Sequence, residues 1–181
     1  NNSEFTVDGT LTNITKPDLN LSVKTHLVLE ELDKFLRINQ NLTGMVAFEG
    51  TVTGQIPDVT ATGQLTCREG SAWRLDFENV STDVTYQKEQ VVVTNLDMDV
   101  FDGSVSGNGQ LSFSGTPRYQ ASLAVENLNI EHTNSIVAPQ QLPLKGHVSG
   151  KVEVQGSSFD FEDLILHASL SFRDVDAYGV K

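Results

Sequence analysis

Apolar and polar residues alternate along nearly the whole chain, and this period of two limits the possible fold more than any other sequence feature. The first such run is EFTVDGTLT from Glu4, and similar runs recur as far as LILHASLSF from Leu164. Residues two positions apart share one face of a β-strand, so each run predicts a strand with an apolar face and a solvent-facing one. The whole pattern predicts an all-β protein of about eleven or twelve antiparallel strands.

One segment departs from this alternation. In HLVLEELDKFLRIN the apolar residues follow helical spacing, which predicts a short amphipathic helix near residues 28–37. Its apolar members are Leu29, Leu32, Phe35 and Leu36. A second irregular stretch surrounds residues 136–143, where Pro139 and Pro143 exclude a long helix.

The chain also repeats itself after about 100 residues. LTGMVAFEGTVTG at residues 42–54 returns as LKGHVSGKVEVQG at residues 144–156, with Leu, Gly, Val, Val and Gly in equivalent positions. We interpret residues 1–181 as one continuous β-groove fragment built from two repeats, approximately 5–104 and 105–181, the second incomplete. Because the chain starts NNSEF without a methionine, we expect it to be cut from a longer protein.

A sheet of this size raises the question of what covers its apolar face. Eleven strands about 4.8 Å apart would extend roughly 50 Å, and one short helix cannot blanket that area. Since repeated units add strands in one direction, an open, elongated and curved sheet is favoured over a closed barrel. Glycines within the strands would allow that bending. The predicted groove lining is Val46, Phe48, Val52, Leu65, Trp73, Leu75, Phe77, Val105, Leu111, Phe113, Leu123, Val125, Val148, Val152 and Val154.

Net charge narrows the range of partners. The formal charge of −12 repels phosphate backbones and anionic lipid surfaces, so we expect no nucleic-acid partner. No run of 18 apolar residues is present, so we expect any membrane anchor to lie outside these 181 residues. Cys67 is the single cysteine, which excludes an internal disulfide.

Catalytic and metal-binding patterns are missing from the sequence. It contains neither GxSxG nor GxxxxGK[ST], and the four histidines are scattered without an HxxxH spacing. The acidic stretch LDMDVFDG fails the EF-hand spacing, and its carboxylates alternate with apolar residues as on a solvent-facing strand surface. We therefore expect no catalytic residue, no metal site and no cofactor.

Several motifs together give the chain a family resemblance. LEELDKFL is followed by a LxGxVxxxGxVxG strand, then TGQL, then VFDGSVSGNGQLSF from Val100 and PRYQASLAVENLNI from Pro117. In this order and spacing they resemble the AsmA/TamB superfamily of bacterial envelope proteins, over nearly the whole chain. The resemblance implies a β-taco, a repeating β-groove with an apolar interior. It also implies an inner-membrane-anchored protein that spans the periplasm.

The resemblance and the pattern together predict a non-enzymatic module that shelters phospholipid acyl chains and conducts them between inner and outer membrane. Family members have also been implicated in outer-membrane protein assembly, so outer-membrane assembly proteins are possible partners. Three alternatives stay open. They are a chaperone that pairs an exposed sheet edge with strands of a nascent outer-membrane barrel, a self-packed structural or adhesive β-repeat domain, and a much weaker one, a glycan-acting enzyme.

Overall fold

Ten antiparallel strands, each paired with the next along the chain, form a single open and curved sheet. The computed structural model describes residues 3–36, 41–72, 75–132, 144–157 and 163–177. The strands are β1 (Glu4–Thr12), β2 (Asp18–Val28), β3 (Thr43–Gln55), β4 (Asp58–Ala72), β5 (Leu75–Gln87), β6 (Gln90–Val100), β7 (Gly103–Ser112), β8 (Arg118–Asn129), β9 (Leu144–Gly156) and β10 (Ile165–Ala177). The predicted all-β, elongated curved antiparallel sheet is confirmed.

Register follows the alternation of the sequence. Val23 lies opposite Val7 in β1 and opposite Gly50 in β3, so apolar and small residues meet across both of its strand pairs. The same holds at every strand pair, because a slip by one residue would exchange the two faces of a strand. One face of the sheet is therefore mainly apolar, and the other is built mainly from Thr, Ser, Gln, Asn and charged residues.

Bulges explain why the sheet has fewer strands than the sequence pattern indicates. At five of the register shifts one strand contains an inserted residue in the left-handed backbone region, and the apolar residues then change from odd to even positions or back. Two runs that look separate in sequence, such as Val91–Val93 and Leu96–Val100, thus belong to the single strand β6. The inserted residues are Asn79, Asn95, Asn127 and Asp174.

A helix α1 (Leu29–Leu36) follows β2, where the sequence predicts one at 28–37. Acidic Glu30 and Glu31 occupy its first turn and Lys34 its last, an arrangement that complements the helix dipole. Ser3 ties the helix to the chain start: its hydroxyl donates to the Glu31 Oε2 at 2.7 Å and accepts from the Val28 N–H at 3.3 Å. The helix contacts mainly β2 and β3.

Burial is concentrated at one end of the apolar face. Six residues from β6 to β9 and the turn after β8 form a buried cluster, with partly buried side chains packed against it. The buried members are Val100, Val105, Val125, Leu128, Ile130 and Val148. We call them the end cluster. Val46 in β3 and Cys67 in β4 are also buried. The other apolar side chains of the described strands are half-buried or exposed.

The exposed surface matches an open sheet. The chain exposes 12463 Å², whereas a compact globule of 19.8 kDa would expose about 8,600 Å². No side chain among the described residues is completely buried, and Cys67, at 3 % exposure, is the least accessible of the buried hydrophobic ones. Extensive contacts between strands join only strands adjacent in sequence, so within the described residues no second sheet packs on the apolar face.

Substitution by alanine is expected to affect stability differently at two glycines of this sheet. A Cβ on Gly63 would lie 2.7 Å from the Gly50 Cα, a backbone atom that cannot move without separating β3 from β4. A Cβ on Gly109 would meet its neighbours at 3.3 Å or more, with an extended backbone that alanine accepts. We expect Gly63→Ala to lower the free energy of unfolding by about 1–3 kcal/mol and Gly109→Ala to change it by less than about 1 kcal/mol. Urea denaturation of both variants checks this, and equal effects would contradict the observed register.

Candidate functional site

The predicted lining residues share one face of the sheet. Thirteen of the fifteen lie on the apolar face of β3, β4, β5, β7, β8 and β9, as the strand registers place them. They are Val46, Phe48, Val52, Leu65, Leu75, Phe77, Val105, Leu111, Leu123, Val125, Val148, Val152 and Val154. Phe113 follows the end of β7 and is 45 % exposed, and Trp73 lies outside the described residues.

A row of directly opposed residues crosses this face from one edge of the sheet to the other. Each member lies opposite the next in the neighbouring strand, without interruption over all ten strands. The members are Val7, Val23, Gly50, Gly63, Val84, Val93, Gly109, Ala121, Val154 and Leu166. We call this set the central row. Nine strand spacings make it roughly 43 Å long, perpendicular to the strands.

The central row and the two rows beside it mix small and large apolar residues. Four of the ten members of the central row are glycine or alanine. One neighbouring row includes Leu21, Tyr86 and Leu111, and the other includes Leu65 and Leu123. We call the strip formed by these three rows, which runs across the strands, the trough.

Aromatic rings lie flat over several of the glycines. The Phe48 Cζ lies 2.7 Å from the point where a Cβ would stand on Gly50 or on Gly63, so the ring covers this glycine pair. Phe77 covers Gly70 in the same way, at 2.8 Å. Rings that rest on glycine backbone add apolar surface without rising far above the sheet. The glycines therefore keep the face both smooth and shallow.

Access to the apolar face differs from strand to strand. Among strand residues, the two outer strands carry the most exposed hydrophobic side chains, with Phe5 at 66 % and Phe172 at 58 % exposure. Inner members such as Val52 and Leu65 are half-buried. Val46 in β3 and Val148 in β9 are each only 9 % exposed. The apolar face is therefore most accessible on the two outer strands.

Two threonines interrupt the apolar face without leaving a polar group unsatisfied. The buried Thr25 donates its hydroxyl to the Glu4 carbonyl at 2.9 Å, and the buried Thr82 donates to the Thr94 carbonyl at 2.9 Å. Both hydroxyls are satisfied by backbone carbonyls of the neighbouring strand, so only methyl groups face the trough. The sequence alternation places these positions on the apolar face but gives no signal of the bonds.

The opposite face is polar and holds shallow depressions. One of about 570 Å³ lies over β6–β10 and is lined by Asn108, Gln110, Gln120 and Gln155 among others. Another, of about 760 Å³, is bordered by carboxylates that include Glu78, Asp99 and Glu126. Exposed charges pair across this face, as in the 2.6 Å contact between Lys24 and Glu49.

Comparison with known proteins does not assign a function, so the proposal below is based on this geometry. No family model, curated protein or solved structure matches this chain. The AsmA/TamB resemblance therefore stays a prediction from sequence motifs. So does the division into two repeats, although β1, β2, α1, β3 and β4 are followed later by β7, β8, a helical turn at 130–132, β9 and β10.

The remaining features considered are possible metal ligands, the acidic stretch LDMDVFDG, the single cysteine and membrane-spanning helices. Among the described residues, no three His, Cys, Asp or Glu side chains converge as a metal site would require. Asp99 of LDMDVFDG accepts a 2.7 Å hydrogen bond from the Asn79 amide, and Asp102 contacts His132 at 3.3 Å. Cys67 lies on the apolar face opposite Val46 and Val80, where it is buried, and this burial raises the pKa of its thiol. Within the described ranges, no helix has the length and hydropathy to cross a bilayer.

Proposed function

We propose that this chain is the hydrophobic-groove module of a bacterial envelope protein, and that it shelters phospholipid acyl chains along the trough. The observation that supports the proposal is the uncovered apolar face, which spans ten strands with no second protein layer on its described part. A protein surface of this size and polarity needs an apolar partner. An acyl chain supplies one whose length and flexibility fit a shallow trough.

The length of the central row and the free energy of burying methylene groups are both suited to an acyl chain. The central row is roughly 43 Å long, more than twice the thickness of one leaflet of bilayer hydrocarbon, about 15 Å. Each methylene group that leaves water for an apolar surface is stabilised by up to about 0.8 kcal/mol. A chain of sixteen carbons that buries only half of its surface would still gain about 6 kcal/mol. That is enough for binding and too little for permanent retention.

The lining favours movement along the trough. Its floor is made of Gly, Ala and Val with aromatic rings lying flat, and the two buried threonines present only methyl groups to it. No polar anchor along the central row would hold an acyl chain at one point, so barriers between neighbouring positions are low. The polar headgroup remains in solvent at the margin of the sheet. The chain has no catalytic task in this proposal.

Location and partners follow from the resemblance to AsmA/TamB proteins. The proposed setting is the periplasm, between an inner-membrane anchor outside these 181 residues and the outer membrane. Phospholipid would move along the trough from one membrane towards the other. The energy source and direction belong to other parts of that system.

Photo-crosslinking on the two faces of one strand tests the proposal. A photoreactive amino acid at Phe48 lies on the apolar face, and the same residue at the adjacent Glu49 lies on the polar face, where the native side chain is 67 % exposed. We expect phospholipid to be captured in cells at position 48 at least ten times more than at position 49. Mass spectrometry of the adducts measures this. Equal capture at both positions, or none at either, would refute a lipid-lined trough.

A second candidate function rests on the open sheet edges. Among the described residues, strands β1 and β10 each pair on one side only, so a further strand could pair with their outer backbone groups. A chaperone for outer-membrane barrel precursors could bind client strands there by augmentation. Crosslinkers on β1 or β10 that capture barrel precursors, together with no lipid at position 48, would favour this candidate over lipid transport.

A further inference from the structure

The trough has two long sides, at the two ends of the strands, and they differ in structure. On one side lie the short connections that follow β1, β3, β5 and β7, together with the strand residues that flank them. We call this the hairpin side. On the other side lie the connections that follow β2, β4, β6 and β8, and the first of these contains α1. We call this the helix side.

The trough lies close to the hairpin side over β5–β8. Its members Tyr86 and Leu111 are each one residue from the end of their strand at this side. Val93, the central-row member of β6, is three residues from Gln90 at the hairpin side and seven from Val100 at the helix side. At about 3.3 Å per residue these separations are about 10 Å and about 23 Å. A lipid whose acyl chain lies in the trough therefore reaches solvent soonest at the hairpin side.

The hairpin side also extends the apolar surface beyond the strands. Three of its four connections carry an exposed apolar side chain, and Ile14 is the most exposed of them at 91 %. The other two are Ile56 and Phe113. Apolar side chains beside exposed charges suit the region of a lipid where its acyl chains join the headgroup.

Charges of both signs alternate along the hairpin side. Its cations are Lys16, Lys88 and Arg118, and none of their side chains forms an ion pair with a described residue. The same side carries an equal number of carboxylates, so its formal charge is balanced although the whole chain carries −12. These carboxylates belong to Asp18, Asp58 and Glu89.

The helix side is acidic by comparison. A depression of about 760 Å³ there is bordered by five carboxylates, and residues 94–108 and 122–132 contain no Lys or Arg. The five belong to Asp76, Glu78, Asp99, Asp102 and Glu126. Glu78 lies directly opposite Asp99, so like charges already adjoin in this region. A further anionic group would be repelled at the helix side.

We propose that a phospholipid in the trough holds its headgroup over the hairpin side, and that this side suits a zwitterionic headgroup with a phosphate and an ammonium group. The phosphate is attached to glycerol, close to the acyl chains, where the unpaired cations can contact it. The ammonium group extends further out, where carboxylates lie beside the cations. A purely anionic headgroup lacks this second contact and is repelled by the net charge of the chain. The inference rests on the lipid-binding function proposed above.

A photoreactive phospholipid tests where the headgroup lies. The probe is phosphatidylethanolamine with a photoreactive group on its glycerol, supplied in vesicles to the purified chain, and peptide mass spectrometry locates the adducts. We expect at least about five times more adducts in residues 56–57 and 113–117 than in residues 99–103, because the two sides are unequally distant from the trough. Equal labelling of both sides, or more at residues 99–103, would overturn the placement.

Matched charge reversals test which headgroup is preferred. Lys16→Glu with Arg118→Glu reverses two cations of the hairpin side, and Arg68→Glu with Lys151→Glu makes the same charge change on exposed residues elsewhere. Each protein also carries a photoreactive residue in place of Phe48. Vesicles contain equal parts of phosphatidylethanolamine, phosphatidylglycerol and diacylglycerol with the same acyl chains. Mass spectrometry of the adducts then compares the three lipids.

Without charge reversal, we expect phosphatidylethanolamine to be captured at least about three times more than phosphatidylglycerol. The hairpin-side variant should capture about three to ten times less phosphatidylethanolamine than the control variant, while diacylglycerol capture changes less than about twofold. Equal capture of phosphatidylethanolamine by both variants, or of both phospholipids without charge reversal, would overturn this inference alone. Absence of all three lipids at position 48 would instead refute the trough as a lipid site, and the inference with it.

Discussion

Val148→Asp is expected to lower the free energy of unfolding by about 3–5 kcal/mol, and Val52→Asp by only about 1–2 kcal/mol. Both valines lie on the apolar face. Val148 is 9 % exposed and belongs to the end cluster, where an aspartate would lose apolar burial and bury a carboxylate. Such a combination is among the most destabilising single substitutions.

Val52 has a different environment. It lies between Leu21 and Ala61 in neighbouring strands, and solvent reaches it from the open side of the sheet. An aspartate there stays hydrated, so the loss of stability comes mainly from its low preference for β-strands. Urea denaturation of the two variants, with Thr51→Asp on the polar face as control, measures the difference. Equal large losses at positions 148 and 52 would mean that the whole apolar face is sealed.

This contrast shows where the sequence is informative and where it is not. Alternation alone places thirteen predicted lining residues on one face, because side-chain period in a strand is fixed by covalent geometry. The helix over Leu29–Leu36 is also predicted by the sequence, because the apolar residues there follow helical spacing. Neither pattern tells how deeply a residue is buried. Phe48 and Val148 look alike in sequence, yet only Val148 lies within the end cluster.

Bulges are the main feature that the pattern hides. Asn127 adds one residue to β8, so the buried face continues from Val125 to Leu128, and Leu128 was missing from the predicted lining. An asparagine that tolerates the left-handed backbone region is the local signal for such an insertion, but asparagine is also common in turns. The strand count was too high for the same reason.

Cysteine labelling is the most direct test of the central claim that the trough has no permanent protein cover. Val52→Cys in β3 and Val152→Cys in β9 place a thiol on the trough, and Thr51→Cys places one on the polar face as the reference for full access. Native Cys67 provides the buried reference in every variant, because it is 3 % exposed and burial raises the pKa of its thiol.

We expect a small maleimide to modify positions 52 and 152 in the folded protein within about tenfold of the rate at position 51. Modification of Cys67 should be at least about 100-fold slower, since it requires local opening of the sheet. Mass spectrometry of the time course counts the two sites separately. If positions 52 and 152 react as slowly as Cys67, and become reactive only on unfolding, the apolar face is covered and the account is wrong.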